Sequence, residues 1–163
     1  MEVNLAAVQQ RTVSTEEYIR TINQRFIERF LERRQTYVLH EETAKRIREL
    51  AANYVIVVFS AEWCKDCMAN LPVLDLLSQK TGIEVRIFGK IKADPLSHTR
   101  KWRIPPSPPE IETFQIEKLP TMILFDKKGL EIGRIVEKPT LAPTLEEEVF
   151  EILKKSEASK LTL

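Results

Sequence analysis

An unbroken apolar run, Tyr54-Val55-Ile56-Val57-Val58-Phe59, leads almost at once into Trp63-Cys64-Lys65-Asp66-Cys67, and no other feature of the chain constrains its fold so strongly. A continuous stretch of β-branched and aromatic residues is the pattern of a strand buried on both faces, as in parallel or mixed sheets covered by helices. Beyond the cysteines, Leu71, Leu74 and Leu77 recur at helical spacing as far as Lys80, and Gly82 stands where a helix ends. Strand, cysteine turn and helix is the expected local order, and it places an α/β core at the centre of the chain.

The downstream text completes a sheet. Ile83 to Phe88 reads as a second strand, and Asp94-Pro95 opens a short polar helix to about Trp102, with Asp94 as its cap. From Arg103 to Lys118 the prolines Pro105, Pro106, Pro108 and Pro109 exclude regular structure, so an ordered loop is expected, shaping a groove beside the cysteines. Thr121 to Phe125 is a strand, Asp126 to Gly129 a turn, Glu131 to Val136 its antiparallel partner, and Pro143 to Lys155 a closing helix. The core is thus α/β with a central four-stranded mixed sheet.

Upstream, Ser14 and Glu17 form a capping box for an amphipathic helix over 15–34, with Ile19, Ile22, Phe26 and Phe30 on one stripe. A second helix carries Ala44, Ile47 and Leu50 and ends near Ala51. Residues 1–52 are read as a helical extension with two helices packed on the core, 53–156 as the core domain, and 157–163 as a frayed tail.

Charge removes several classes of function. Lys and Arg number 25 against 24 Asp and Glu, a net charge of +1, which gives no footprint for nucleic acid or an anionic membrane. The uncharged stretch Ala51 to Ala61 falls well short of the ~20 residues of a spanning helix. Glu2, Arg11, Glu16 and Glu17 leave no secretory apolar region near the start, so a soluble, unexported, cytoplasmic protein is expected. Two cysteines are too few for a disulfide scaffold, which favours a chemical role over an architectural one.

A cysteine at the start of a helix sits among unpaired backbone N–H groups and the positive end of the dipole, both of which favour a thiolate. Cys64 is the expected nucleophile, and Cys67, one turn on, is the resolving thiol that would close a Cys64–Cys67 disulfide. The Lys65 cation favours the Cys64 thiolate. Asp66 opposes it and is a candidate acceptor for the Cys67 proton, so the net effect of the pair on redox potential has no sign from sequence. Competing readings are a buried core pair, or half of a zinc site completed by His40 and His98, although the histidines lack zinc-finger spacing.

Phe59 to Cys67, with Leu119-Pro120-Thr121 downstream, resembles the thioredoxin superfamily, in particular small W-C-x-D-C proteins with N-terminal helices. The resemblance spans roughly residues 53–155. It implies a thioredoxin-like fold, a helix-kinking Pro72, a cis-proline at Pro120 facing the disulfide, and substrate docking on Trp63, Leu119 and Pro120 by strand addition. It also implies thiol–disulfide exchange on protein disulfides, with a disulfide reductase or small thiol as electron donor. No cofactor beyond the redox-active Cys64–Cys67 disulfide is implied: no motif points to metal, flavin or nucleotide. The sequence departs from the family at Val58, where a buried acid commonly serves the resolving cysteine, and at Lys65-Asp66, where Gly-Pro is familiar. Asp66, Glu62 or a water would then take the proton. Those departures keep a second reading open, a peptide-binding adaptor with little or no redox turnover.

Overall fold

The computed structural model describes residues 2–92, 96 and 107–161. In chain order the elements are α1 (Leu5–Arg11), β1 (Val13–Ser14), α2 (Thr15–Thr21), α3 (Gln24–Thr36), α4 (Glu41–Leu50), a 3-10 turn over Ala51–Asn53, β2 (Tyr54–Phe59), α5 (Lys65–Thr81), β3 (Glu84–Phe88), α6 (Glu110–Thr113), β4 (Thr121–Asp126), β5 (Glu131–Val136) and α7 (Leu145–Leu161).

All six residues of β2 are buried, as expected of a strand covered on both faces. β2 runs through the middle of the sheet, parallel to β3 with Val57 opposite Arg86, and antiparallel to β4 with Val57 opposite Ile123. β5 continues from β4 in antiparallel register. The sheet is mixed and five-stranded, in the order β1-β3-β2-β4-β5, rather than four-stranded. The extra strand, β1, is two residues long, too short to show a period of its own, and lies antiparallel on β3 with Val13 opposite Ile87.

The N-terminal region holds four helices where two were expected. α1 begins at Asn4, whose Oδ1 accepts from the Ala7 N–H at 3.2 Å. The amphipathic stretch 15–34 is broken at Ile22-Asn23. There the Asn23 side chain caps α3 by accepting from Arg25 N–H, and the Asn23 N–H is drawn off to Glu62 Oε1 at 3.0 Å. An amide side chain that competes for its own backbone ends one helix and starts the next. These helices share one hydrophobic cluster with the sheet: Tyr18, Phe30 and Ile47 are buried together with Phe59, Leu74 and Leu77.

Two further boundaries differ from the sequence reading. α7 runs to Leu161, beyond the expected stop at Lys155, and Lys160 lies over the Tyr54 ring 4.8 Å from its centroid while donating to its hydroxyl at 3.1 Å. Among its described residues the proline-rich excursion contains a helical turn, α6, whose Ile111 is buried and whose C-cap Phe114 packs edge-on against Phe59, centroids 5.4 Å apart. Pro109 opens that turn because its fixed φ already suits a helix start. The helix expected over Asp94 to Trp102, its Asp94 cap, His98, and the prolines Pro105 and Pro106 lie outside the described residues.

Candidate active site

β2 ends at Phe59, and Ser60 to Trp63 turn the chain into α5. Ser60 N–H donates to Phe88 of β3 at 3.1 Å and Cys64 N–H donates back to Ala61 at 3.2 Å, which fixes the turn at both ends. Cys64 keeps an extended backbone and acts as the N-cap of α5, its sulfur accepting the Cys67 N–H at 3.3 Å. α5 continues through Pro72 and stops at Gly82, whose φ of +80° suits a residue without Cβ.

The two thiols stand in opposite surroundings. Cys64 is half-buried and Cys67 fully buried, and both are free. The Cys67 thiol, hydrogen-bonding to the Cys64 sulfur, is the largest influence pulling Cys64 down to about 7; partial burial opposes it, the Cys67 and Asp66 backbone N–H groups add to it, and the Asp66 carboxylate works against it. Burial pushes the Cys67 thiol far above the ordinary range and the nearby Cys64 sulfur adds to the rise, whereas the Ser60 hydroxyl and the Ala61 backbone pull the other way. A split of this kind favours one exposed nucleophile and one protonated reserve.

Alkylation by iodoacetamide tests the split directly. The thiolate is the reactive form, so the rate at Cys64 should be low in acid, rise with pH about a midpoint near 7, and level off above it. Cys67 should stay unmodified in the native chain. A midpoint of about 8.5 or higher, that of an ordinary thiol, would contradict the arrangement.

Around the sulfurs, Leu119 is buried and its carbonyl accepts from the Cys64 Sγ–H at 3.5 Å, so the segment before β4 reaches the turn. The Leu119–Pro120 peptide bond is cis. Trp63 is 48% exposed, its indole N–H donating to Ile91 at 3.2 Å, which leaves an aromatic face beside the nucleophilic sulfur. Lys65 is exposed on the first turn of α5, and Asp66 beside it acts on Cys64. Glu62 holds the Asn23 N–H. A groove of about 780 Å³ runs along this side, lined by Tyr18, Glu62, Trp63, Lys90, Pro108 and Pro109 among others.

Val58 is fully buried between Ile87 and Met122. Two hydroxyls near Cys67 escaped the sequence reading. Ser60 is fully buried at the end of β2, and Tyr18 comes from α2, far away in the chain. Tyr18 sits four residues before Ile22 on the same stripe, so its burial was legible but not its neighbours. His40 is not near the cysteines' chemistry: it caps α4, its Nδ1 accepting the Thr43 N–H. Among the described residues no cluster of three or more candidate ligands could hold a metal, and no helix is long and apolar enough to cross a membrane.

A family model described as thioredoxin matches residues 12–150. The thioredoxin of Chlamydia pneumoniae is 33% identical over 87 residues, 53% of this chain and 72% of that protein. That of Chlamydia muridarum is 36% identical over the same shares. In the solved structures, a protein of unknown function from Pseudomonas aeruginosa matches with a TM-score of 0.72 at 18% identity, covering 94% of this chain and 99% of the other. That likeness is one of fold, and it extends across the N-terminal helices as well as the sheet.

Proposed function

The chain belongs to the thioredoxin family, and on that premise we propose that it is a thiol–disulfide oxidoreductase that reduces protein disulfides through a Cys64–Cys67 dithiol/disulfide cycle. One observation carries the proposal: the Cys64 sulfur caps α5, accepts the Cys67 N–H at 3.3 Å and is held down to about 7, so a large share is thiolate near neutrality. The Cys64 thiolate attacks one sulfur of a substrate disulfide and the other leaves as thiolate. Cys67 then attacks Cys64, the Cys64–substrate bond breaks, and the second substrate sulfur leaves. The pair is now oxidised and the substrate reduced by two electrons. A disulfide reductase or small thiol returns the electrons, no bound cofactor takes part, and a reducing compartment such as the cytoplasm suits the direction.

The substrate strand docks across the cis-Pro120 corner, with Leu119 offering backbone groups and Trp63 an apolar wall. Lys65 and Asp66 tune the thiolate from opposite sides. The test is an equilibrium titration of the pair against a dithiol buffer, read by trapping free thiols. A reversible two-electron transition near about −270 mV supports a reductant, and one between about −120 and −180 mV an oxidase or isomerase. No reversible disulfide at any poise would sink the reading and leave the peptide-binding adaptor in its place.

A further inference from the structure

The proposed cycle needs an exit for the proton of Cys67, a thiol that burial keeps protonated, and Val58 supplies no acid. Two buried oxygens lie idle beside it. Ser60 Oγ and Tyr18 Oη are both shut off from solvent, and neither has a hydrogen-bond partner within 3.5 Å among the described residues. An unpaired buried hydroxyl costs about 1–3 kcal/mol, so two together in one place call for a reason. They are nevertheless neighbours: Ser60 N–H is bonded to Phe88, the residue before Gly89, against which the Tyr18 ring packs, and the Ser60 hydroxyl acts on both the Cys67 thiol and Tyr18, whose own ionisation burial opposes. Tyr18 also lines the groove together with Glu62. Its ring is admitted by Gly89, where a Cβ would stand 3.3 Å from Tyr18 Cε2.

Taking the cycle above as given, we propose that Ser60 and Tyr18 form the proton exit of Cys67, in place of an acid at position 58, with Glu62 at the groove as its outer end. As Cys67 attacks Cys64 in the mixed disulfide, its Sγ–H proton passes to Ser60 Oγ, the Ser60 proton to Tyr18 Oη, and the Tyr18 proton to the Glu62 carboxylate. The Cys67–Cys64 bond forms, the Cys64–substrate bond breaks, and the electron pair leaves on the substrate sulfur. That sulfur takes up a proton from solvent, and Glu62 gives its proton back to solvent. Ser60 neighbours the reacting thiol without a formed hydrogen bond, so the path closes only as its hydroxyl turns toward Cys67, and Tyr18 acts through Ser60 as a positioning residue. The titratable groups facing the path are Glu62 from the turn, Cys64 at the cap of α5, Asp66 and Cys67 within α5, Arg11 at the end of α1, and Lys90 and Lys92 beyond β3.

The reduced full-length chain, mixed with the disulfide reagent DTNB in a stopped-flow cell, reads the two steps apart. The first thionitrobenzoate reports attack by Cys64, and the second reports resolution by Cys67. Tyr18→Phe keeps the ring against Gly89 and removes only the oxygen; Ser60→Ala removes the other. Each should leave the first release unchanged and slow the second about tenfold or more near pH 6, the gap closing as hydroxide takes the proton at higher pH. A second phase at the unaltered rate in both variants would overturn the proton path, and so would equal slowing of both phases with no pH dependence, which marks a packing defect. If the unaltered chain shows no second phase at all, the cycle itself is overturned, a result visible without either variant.

Discussion

Replacing Cys67 by serine should turn a fleeting mixed disulfide into one that accumulates. Cys64 keeps its place at the head of α5, so attack on a substrate disulfide proceeds, but the buried sulfur that releases the product is gone. Turnover should fall by on the order of a thousandfold or more, since the two thiols act as a unit. A substrate–protein adduct should appear on a non-reducing gel and vanish with dithiothreitol, and Cys64→Ser should give neither adduct nor turnover. Equal adduct from the unaltered chain would contradict the assignment of roles. Capture of a partner by the chain lacking both sulfurs would favour an adaptor.

The second large effect concerns stability. Asp75, on α5, is 1% exposed at its side chain and pairs with Arg34 of α3, Nε to Oδ2 at 2.6 Å. Neither Asp75 Oδ1 nor the Arg34 Nε–H has an aligned hydrogen bond among the described residues, so the contact is an ion pair held by charge, and Oδ2 otherwise meets only the Gln79 amide at 3.5 Å. Arg34→Ala would strand a buried carboxylate. Removing one partner of such a pair costs about 3–5 kcal/mol, which in a chain of this size lowers the melting temperature by roughly 6 °C or more. Arg34→Met combined with Asp75→Leu should restore most of the loss, because two apolar side chains of similar volume need no partner. A cost below about 1 kcal/mol for Arg34→Ala, measured by urea denaturation, would show the pair to be solvated.

What the residues disclosed in advance was the part governed by local pattern. β2, the helix after the cysteines and the β4–β5 hairpin are read from runs and periods that tertiary contacts do not override. Cys64 at the head of its helix is legible for the same reason. The break at Asn23 was not, because Glu62, far along the chain, decides it by taking the Asn23 N–H. The α6 turn hides among prolines, and only the packing of Ile111 and Phe114 gives it a reason to form. The Ser60 and Tyr18 hydroxyls belong to the same class. Each residue looks ordinary in its own segment, and only the packing of α2 against α5 and β3 brings them to one thiol.

The short strand β1 has a bearing on the life of the protein in a crowded solution. A sheet that ends in a long bare strand invites a second molecule to add its own, and repeated additions build aggregates. On the β3 side, Val13 and Ser14 occupy the rim, and the Arg86 guanidinium is tied to the Thr12 and Gln9 carbonyls at 2.7 and 3.0 Å. On the β5 side the register breaks at Leu124/Phe125, Glu131 and Arg134 form an ion pair, and Glu2 bridges to Leu130 just ahead of β5. Neither rim is a flat template. The N-terminal residues thereby cover the β3 rim and the entry to β5, the places where a second copy could otherwise add a strand, a role independent of any chemistry at the cysteines.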